Sequence, residues 1–131
     1  MLFKKHAPLI LLASIVLFVG CASGSQVLNY NNTPVKSRSA TLNMESMRRA
    51  IIIAGTNTGW QMQEVKLGLV IATKNHTGHS AKVEISYTTK NFSITYKDSS
   101  NLQYDGTKIH KTYNTWVKKL YKTIKNNLSK L

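Results

Sequence analysis

The stretch AKVEISYTTKNFSITYK, residues 81–97, decides the fold. Its apolar residues occupy every second position on both sides of Lys90-Asn91: they are Ala81, Val83, Ile85 and Tyr87, then Phe92, Ile94 and Tyr96. A period of two is typical of a strand with one buried face and one solvated face. Because the link between the two runs is short, the stretch predicts an antiparallel hairpin.

The residues before this hairpin extend the same pattern. In residues 60–63, Trp60 and Met62 alternate with glutamines, and in residues 69–73 Leu69, Ile71 and Thr73 share one face. Gly68 and the segment 75–78 (NHTG) separate these runs and are typical of turns. The sequence therefore predicts two more strands, which join the hairpin as an antiparallel sheet.

Two helices are predicted to flank the strands, the first over residues 42–54. Thr41 or Asn43 can cap it, Glu45 places a negative charge in its first turn, and Gly55 follows its last apolar residue. A core face is indicated by the spacing of Met47, Ala50, Ile51 and Ala54. The three consecutive isoleucines after Ala50 also fit a strand, but the capping signals favour a helix.

The second helix is predicted from residue 108 to about residue 128, with Asp105 or Thr107 as its cap. At 100° per residue, one apolar stripe contains Ile109, Tyr113, Trp116, Val117, Leu120, Tyr121, Ile124, Leu128 and Leu131. The opposite side contains Lys111, Lys118, Lys122 and Lys125. The stripe is wide enough to be a packing face, although a basic amphipathic helix can also lie on a membrane or bind a partner.

These elements predict a single α+β domain over residues 41–131. Its expected architecture is a two-layer sandwich in the order α-β-β-β-β-α, with an antiparallel sheet of three to four strands. One sheet face would be covered by the N-terminal and C-terminal helices. A hydrophobic content of 42% supports a folded chain, and about 100 residues are enough for one core.

The N-terminal segment has the features of a secretory signal. Lys4 and Lys5 precede an apolar run at residues 9–19, and Gly20 and the single cysteine, Cys21, follow it. Eleven helical residues rise only about 16 Å, which is about half of the hydrocarbon thickness of a bilayer. The run therefore predicts a signal peptide over residues 1–20 and not a membrane span.

The residues LFVGC, 17–21, resemble the lipobox of bacterial lipoproteins, with Phe18 where leucine is preferred. The resemblance implies that Cys21 is acylated and becomes the first residue after cleavage. Ala22 is not the aspartate that retains enteric lipoproteins at the inner membrane, so the outer membrane is favoured. Residues 21–40, polar and without a period, are predicted to be a lipidated cysteine and a tether with a mean reach of about 24 Å. Val27, Leu28 and Tyr30 could instead dock on the domain as a short edge strand.

The chain also resembles a family of small proteobacterial lipoproteins of no known activity. The resemblance covers residues 48–120 and is carried by RRAIIIAGTNTGW, GLVIAT, HSAKVEISY, FSITYKDSSNLQY and IHKTYNTWVKKL. It implies an exported signal, a lipidated cysteine and one compact domain, and it implies no mechanism. Where the family pattern has proline before the strand glycine, this chain has Leu67 before Gly68.

The charge of the chain favours anionic partners. Without Lys4 and Lys5, 16 basic residues face five acidic ones, a net charge of +11. The expected contacts are the membrane through acylated Cys21, anionic envelope polymers, or another envelope protein. A lysine-rich surface with no partner fits equally well. Nucleic acid is not expected, because export would separate the chain from it.

A polar and aromatic group is predicted where the last strand leads to the final helix. It comprises Asn101, Tyr104, His110 and Asn114, and the last two have the spacing of a pair that face each other on a helix. This group is either a small ligand groove or the set of contacts that ties the loop to the helix. A basic surface formed by Lys111, Lys118, Lys122 and Lys125 is the second candidate site.

Catalytic and metal-binding patterns are weak. Asp98, Ser99 or Ser100, and His110 are the residue types of a nucleophilic triad, but no G-x-S-x-G surrounds the serines. His76 and His79 fall in a predicted turn without a nearby cysteine or carboxylate. The prediction is a lipid-anchored, periplasm-facing envelope lipoprotein that acts as a non-catalytic binding or interaction module for an unknown ligand, without cofactor or metal. The alternatives are a structural lipoprotein whose basic face contacts peptidoglycan, lipopolysaccharide or anionic lipid, and a small hydrolase around His110.

Overall fold

The structure, a computed structural model, describes residues 24–131. The predicted signal peptide and Cys21 lie outside the described residues. Along the chain, the elements are β1 Gly24–Gln26, β2 Tyr30–Pro34, α1 Met44–Asn57, β3 Gln61–Lys66, β4 Leu69–His76, β5 His79–Tyr87, β6 Asn91–Ser100, β7 Lys108–His110 and α2 Lys111–Ser129. The domain is therefore α+β, as predicted.

The main sheet is antiparallel and has five strands in the order β2-β6-β5-β4-β3. The four strands β3 to β6 are joined consecutively by hairpins, as the alternation predicts. The fifth strand, β2, pairs with the outer edge of β6, where Thr33 lies opposite Phe92. The predicted count of three to four strands is wrong because the polar sequence YNNTP of β2 carries no alternation and is held by contacts with distant residues.

The predicted tether is also wrong for residues 24–40, since most of this segment is bound to the domain. β1 pairs with β7 in a separate two-stranded antiparallel sheet. The ring of Tyr30 stacks on that of Tyr121 with centroids 3.7 Å apart. The side chain of Asn29 accepts a hydrogen bond from the Tyr96 amide at 2.7 Å. Further on, the Ser39 amide donates to the Leu131 carbonyl at 3.0 Å.

Helix α1 begins two residues later and ends three residues later than predicted. Asn43 caps it, and its side chain accepts a hydrogen bond from the Ser46 amide at 2.9 Å. Gly55 does not end the helix. It lies inside the last turn of α1. A Cβ at this position would overlap the Sδ and Cε atoms of Met62. The absence of a side chain at Gly55 therefore permits close packing of α1 on β3.

Helix α2 begins at Lys111, because the three residues predicted as its start form β7 instead. His110 is the N-cap, and its Nδ1 accepts a hydrogen bond from the Thr112 amide at 3.1 Å. Asp105, predicted as a cap, holds the turn before β7 by accepting from the amides of Thr107 and Lys108. The strand forms here because β1 supplies a partner that local sequence does not reveal.

One hydrophobic core joins both helices to one face of the main sheet, which is consistent with the predicted layers. From α2 it receives Tyr113, Val117, Leu120, Ile124 and Leu128, and from α1 Met47, Ala50, Ile51 and Ala54. In β4 the buried residues are Val70 and Ala72, so the predicted set of Leu69, Ile71 and Thr73 occupies the more open face. In β6 the strand continues to Ser100 past an irregularity at Lys97, where the register with β5 shifts.

Candidate anionic-surface site

The four residues of the predicted polar group do not converge on one cavity. Asn101 binds the β4–β5 hairpin: its side-chain amide donates to the Gly78 carbonyl at 2.7 Å. Its own carbonyl lies 2.7 Å from Nδ1 of His79. The backbone of Asn101 has a φ of 59°, in the left-handed region that asparagine tolerates better than most residues. Asn101 therefore fixes the end of β6 to the neighbouring hairpin.

Tyr104 belongs to a row of three tyrosines that runs from the core to the surface. The Tyr104 ring is 43% exposed and lies against Tyr96, with centroids 4.3 Å apart. Tyr96 in turn meets the buried ring of Tyr113 edge-on at 5.5 Å. Burial raises the pKa of the Tyr113 hydroxyl above its ordinary value. Tyr96 was not among the predicted site residues because the alternating strand explained it already.

His110 and Asn114 do not form the predicted pair, since their side chains bind different backbone groups. His110 caps α2, whereas Asn114 holds the segment after β1 through two hydrogen bonds. Its Oδ1 accepts from the Leu28 amide at 3.1 Å, and its Nδ2 donates to the Gln26 carbonyl at 2.9 Å. These contacts agree with the structural interpretation of the group, in which polar side chains tie loops to the helix.

The residues of the predicted hydrolase site also form hydrogen bonds with different partners and not with one another as a triad would. The Asp98 carboxylate accepts from the Ser99 amide at 2.8 Å, and the Ser99 hydroxyl lies 2.7 Å from the Tyr96 hydroxyl. The imidazole of His110 is occupied at Nδ1 by the Thr112 amide. The arrangement of these groups gives no support to a nucleophile activated by His110.

The predicted basic surface lies on the solvent-exposed side of α2. Its lysines are all exposed, and α2 contains no acidic residue. We call these residues the lysine face: Lys111, Lys118, Lys119, Lys122 and Lys125. Within residues 24–131, the ion pairs are Arg48 with Glu45 and Glu64, and Lys97 with Glu84. The ammonium groups of the lysine face are therefore free of carboxylates in the described part of the chain.

The middle of the lysine face is a shallow depression of about 340 Å³, lined by Thr115, Lys118, Lys119, Lys122 and Thr123. Lys119 is not in the predicted set, because it is displaced from the other four lysines around the helix axis. The neighbouring pair Lys118-Lys119 was the signal that pointed to it. Its three ammonium groups are suited to phosphate or carboxylate oxygens, whereas the Thr115 and Thr123 hydroxyls donate to the Lys111 and Lys119 carbonyls.

Lys74, at the end of β4, extends the positive charge from the sheet toward α2. Its ammonium group donates to the Thr58 carbonyl at 2.8 Å and lies 5.4 Å from the centroid of the Trp116 ring. Burial, with the charge of Lys119 as the second cause, lowers the pKa of Lys74. The influence of Lys119 places Lys74 within the electrostatic reach of the lysine face.

A second concave feature lies between the two helices. It is an open groove of about 410 Å³, lined by Ser46, Arg49, Ala50, Ile53, Asn127, Lys130 and Leu131. Ile53, one of its lining residues, is 53% exposed. Arg49 and Lys130 are exposed and place positive charge at its rim.

No protein-family model matches the chain, and no curated protein or solved structure is significantly similar to it. Among residues 24–131, no helix is long and apolar enough to cross a membrane. The same part of the chain contains no group of three or more His, Cys, Asp or Glu side chains that could hold a metal ion.

Proposed function

We propose that this chain is a lipoprotein of the bacterial cell envelope that is anchored through acylated Cys21 and faces the periplasm, with the outer membrane favoured. Its domain acts as a non-catalytic binding module that holds anionic envelope polymers or lipids on the lysine face. The observation that carries the binding role is the set of five exposed lysines on one helix that contains no acidic residue.

The acyl chains and the lysines would contribute differently to the interactions of the protein. An acyl chain contributes about 0.8 kcal/mol per buried methylene, whereas a lysine near an anionic surface contributes about 1 kcal/mol. Two or three acyl chains therefore determine where the protein resides. The lysines then determine which neighbouring polymers the domain holds, with an affinity that falls as salt increases.

Acylation is tested on the protein purified from a Gram-negative host. Mass spectrometry of the N-terminal peptide should find Cys21 as the first residue, carrying fatty acyl chains. A peptide that retains residues 1–20, or an unmodified Cys21, would contradict the anchoring part of the proposal.

Binding is tested with residues 22–131, which include the complete described domain, and vesicles that contain phosphatidylglycerol or lipopolysaccharide. We expect binding at low salt that disappears at high salt, and none to neutral vesicles. Replacing Lys118 and Lys122 together by glutamine should weaken binding about 30-fold if each lysine contributes about 1 kcal/mol.

The matched control replaces Lys66 and Lys90 by glutamine, because both are exposed and lie outside α2. This control removes the same charge from outside the lysine face, so we expect it to retain most of the affinity. Equal losses in the two variants would show that net charge alone causes the attraction, and the lysine face would then have no specific role.

The groove between the helices supports a second candidate function, which is binding of an anionic amphiphile such as a fatty acid. The exposed Ile53 would contact the acyl chain, and Arg49 and Lys130 would attract the acidic head. Ile53→Asp should abolish binding of a dansyl-labelled fatty acid. Leu67→Asp, a change at another exposed aliphatic residue, should leave it intact; equal effects would exclude the groove.

A further inference from the structure

We propose that the end of the domain built by β1, β7 and the first turn of α2 lies directly against the bilayer surface. This surface, which we call the β1–β7 end, comprises residues 24–26 and 104–111. The inference rests on the proposed acylation of Cys21 and adds an orientation to it. The partner is the headgroup layer of the membrane in which the acyl chains are embedded.

The link between Cys21 and the folded domain is short. Only Ala22 and Ser23 separate Cys21 from Gly24, the first residue of β1. Three residue steps span at most about 11 Å even when they are fully extended. The predicted mean reach of about 24 Å is therefore replaced by a link that is too short to separate the domain from the membrane.

β1 is bound to the rest of the domain by several hydrogen bonds, so the link can lengthen only if these hydrogen bonds break. Gly24, Ser25 and Gln26 pair with His110, Ile109 and Lys108. The Val27 amide donates to the Thr107 carbonyl at 3.0 Å. The side chain of Asn114 holds both the Gln26 carbonyl and the Leu28 amide.

The chemistry of the β1–β7 end suits a headgroup layer. It presents the exposed ring of Tyr104 and the exposed lysines Lys108 and Lys111. Tyrosine is favoured at membrane interfaces, and lysine is attracted to anionic headgroups. The one acidic group here, Asp105, is turned toward its own backbone, where it accepts from the Thr107 and Lys108 amides.

The opposite end of the domain is defined by the β3–β4 hairpin. β5 runs from His79, which contacts Asn101 beside the β1–β7 end, to Tyr87, whose amide donates to the Gly68 carbonyl. The nine residues of β5 place these two ends about 27 Å apart. Leu67, which is 57% exposed, therefore marks the end far from the membrane.

The experiment compares one position at each end in the full chain, processed in a Gram-negative host. Thr107→Cys and Leu67→Cys each supply one thiol for an environment-sensitive fluorophore, since acylation consumes that of Cys21. Both side chains are exposed. The labelled proteins are placed in vesicles of phosphatidylcholine and phosphatidylglycerol, with or without a phosphatidylcholine that carries a nitroxide on its headgroup.

We expect the nitroxide to quench the label at residue 107 several-fold more than the label at residue 67. A flexible Gly-Ser insertion of about 15 residues after Ser23 adds about 21 Å of mean reach and should reduce this contrast. Equal quenching at the two positions, or stronger quenching at residue 67, would overturn the orientation. A contrast that the insertion leaves unchanged would overturn the role of the short link.

Mass spectrometry of the same samples separates this inference from the function on which it rests. Acylated Cys21 with equal quenching at both ends would refute the orientation and leave the anchoring proposal standing. An unmodified Cys21 would refute the anchoring proposal, and the orientation would fall with it.

Discussion

Gly24, the first described residue, lies opposite His110, the residue that caps α2. The N-terminal segment therefore meets the final helix at its first turn, although the two residues are far apart in sequence. Gly24 is suited to this position because a Cβ there would come within 3.3 Å of the Lys108 Cβ. The pairing makes residues 24–34 part of the folded domain. Side-chain hydrogen bonds to this segment stabilise the pairing.

Replacement of Asn114 by alanine should loosen this connection. It removes two hydrogen bonds to backbone groups of the β1–β2 segment, so we expect the free energy of unfolding to fall by about 1–3 kcal/mol. Urea denaturation measures the change. Asn126→Ala, at an exposed position of the same helix, is the control for helix propensity and should change stability by no more than about 0.5 kcal/mol. Equal effects of the two substitutions would contradict the role of Asn114.

The elements with a regular period could be predicted from sequence, and those held by distant contacts could not. The alternation in residues 81–97 identifies β5 and β6, and the apolar stripe of α2 identifies its buried side correctly. By contrast, β1 and β2 are short and polar, and they exist because β7 and β6 offer open edges. The sequence predicts the start of α2 in place of β7, because Ile109 fits the helical stripe and the strand equally well.

In the candidate site too, features set by the local sequence could be predicted, and features set by distant contacts could not. Exposure of Lys111, Lys118, Lys122 and Lys125 could be predicted because charge and helical phase determine it locally. The group of Asn101, Tyr104, His110 and Asn114 could not be resolved, because closeness in sequence does not determine which backbone groups each side chain meets. The groove at Ile53 depends on how α1 and α2 pack together, and no local pattern indicates it.

The hydroxyl of Tyr113 is buried and has no hydrogen-bond partner among the described residues. A buried hydroxyl without a partner pays the cost of desolvation, so Tyr113→Phe should leave stability unchanged or raise it by up to about 1 kcal/mol. Tyr113→Ala should lose about 3–5 kcal/mol, because it empties part of the core. Thermal and urea denaturation distinguish these outcomes. A loss of more than about 1 kcal/mol in the phenylalanine variant would show that the hydroxyl is satisfied, for example by a buried water.

The effect of replacing Gly55 on stability should depend on the side chain of Met62. In an ordinary helix interior, replacing glycine by alanine raises stability by about 0.5–1 kcal/mol. Here the added methyl group would overlap the Met62 side chain, whose Cγ lies 2.9 Å from the ideal Cβ position. We therefore expect Gly55→Ala to destabilise the native protein by about 1–3 kcal/mol, as overpacking does, and to stabilise the Met62→Ala variant. A double-mutant cycle measures the coupling, and additive effects would contradict close packing of α1 on β3.

Asp105 should make stability depend on pH at the acidic end of the range. Hydrogen bonds from the Lys108 and Thr107 amides, at 2.6 and 2.9 Å, hold the pKa of its carboxyl group below its ordinary value. Because the pKa is lower in the folded state, the stabilisation is present above the unfolded pKa of about 3.9 and is lost as pH falls through the folded pKa. Asp105→Asn should thus be less stable than the native protein near pH 6, with a difference that shrinks below about pH 4. Urea denaturation between about pH 2 and pH 6 tests this linkage. A difference that stays constant over the whole range would mean that the carboxylate charge is not what holds the turn before β7.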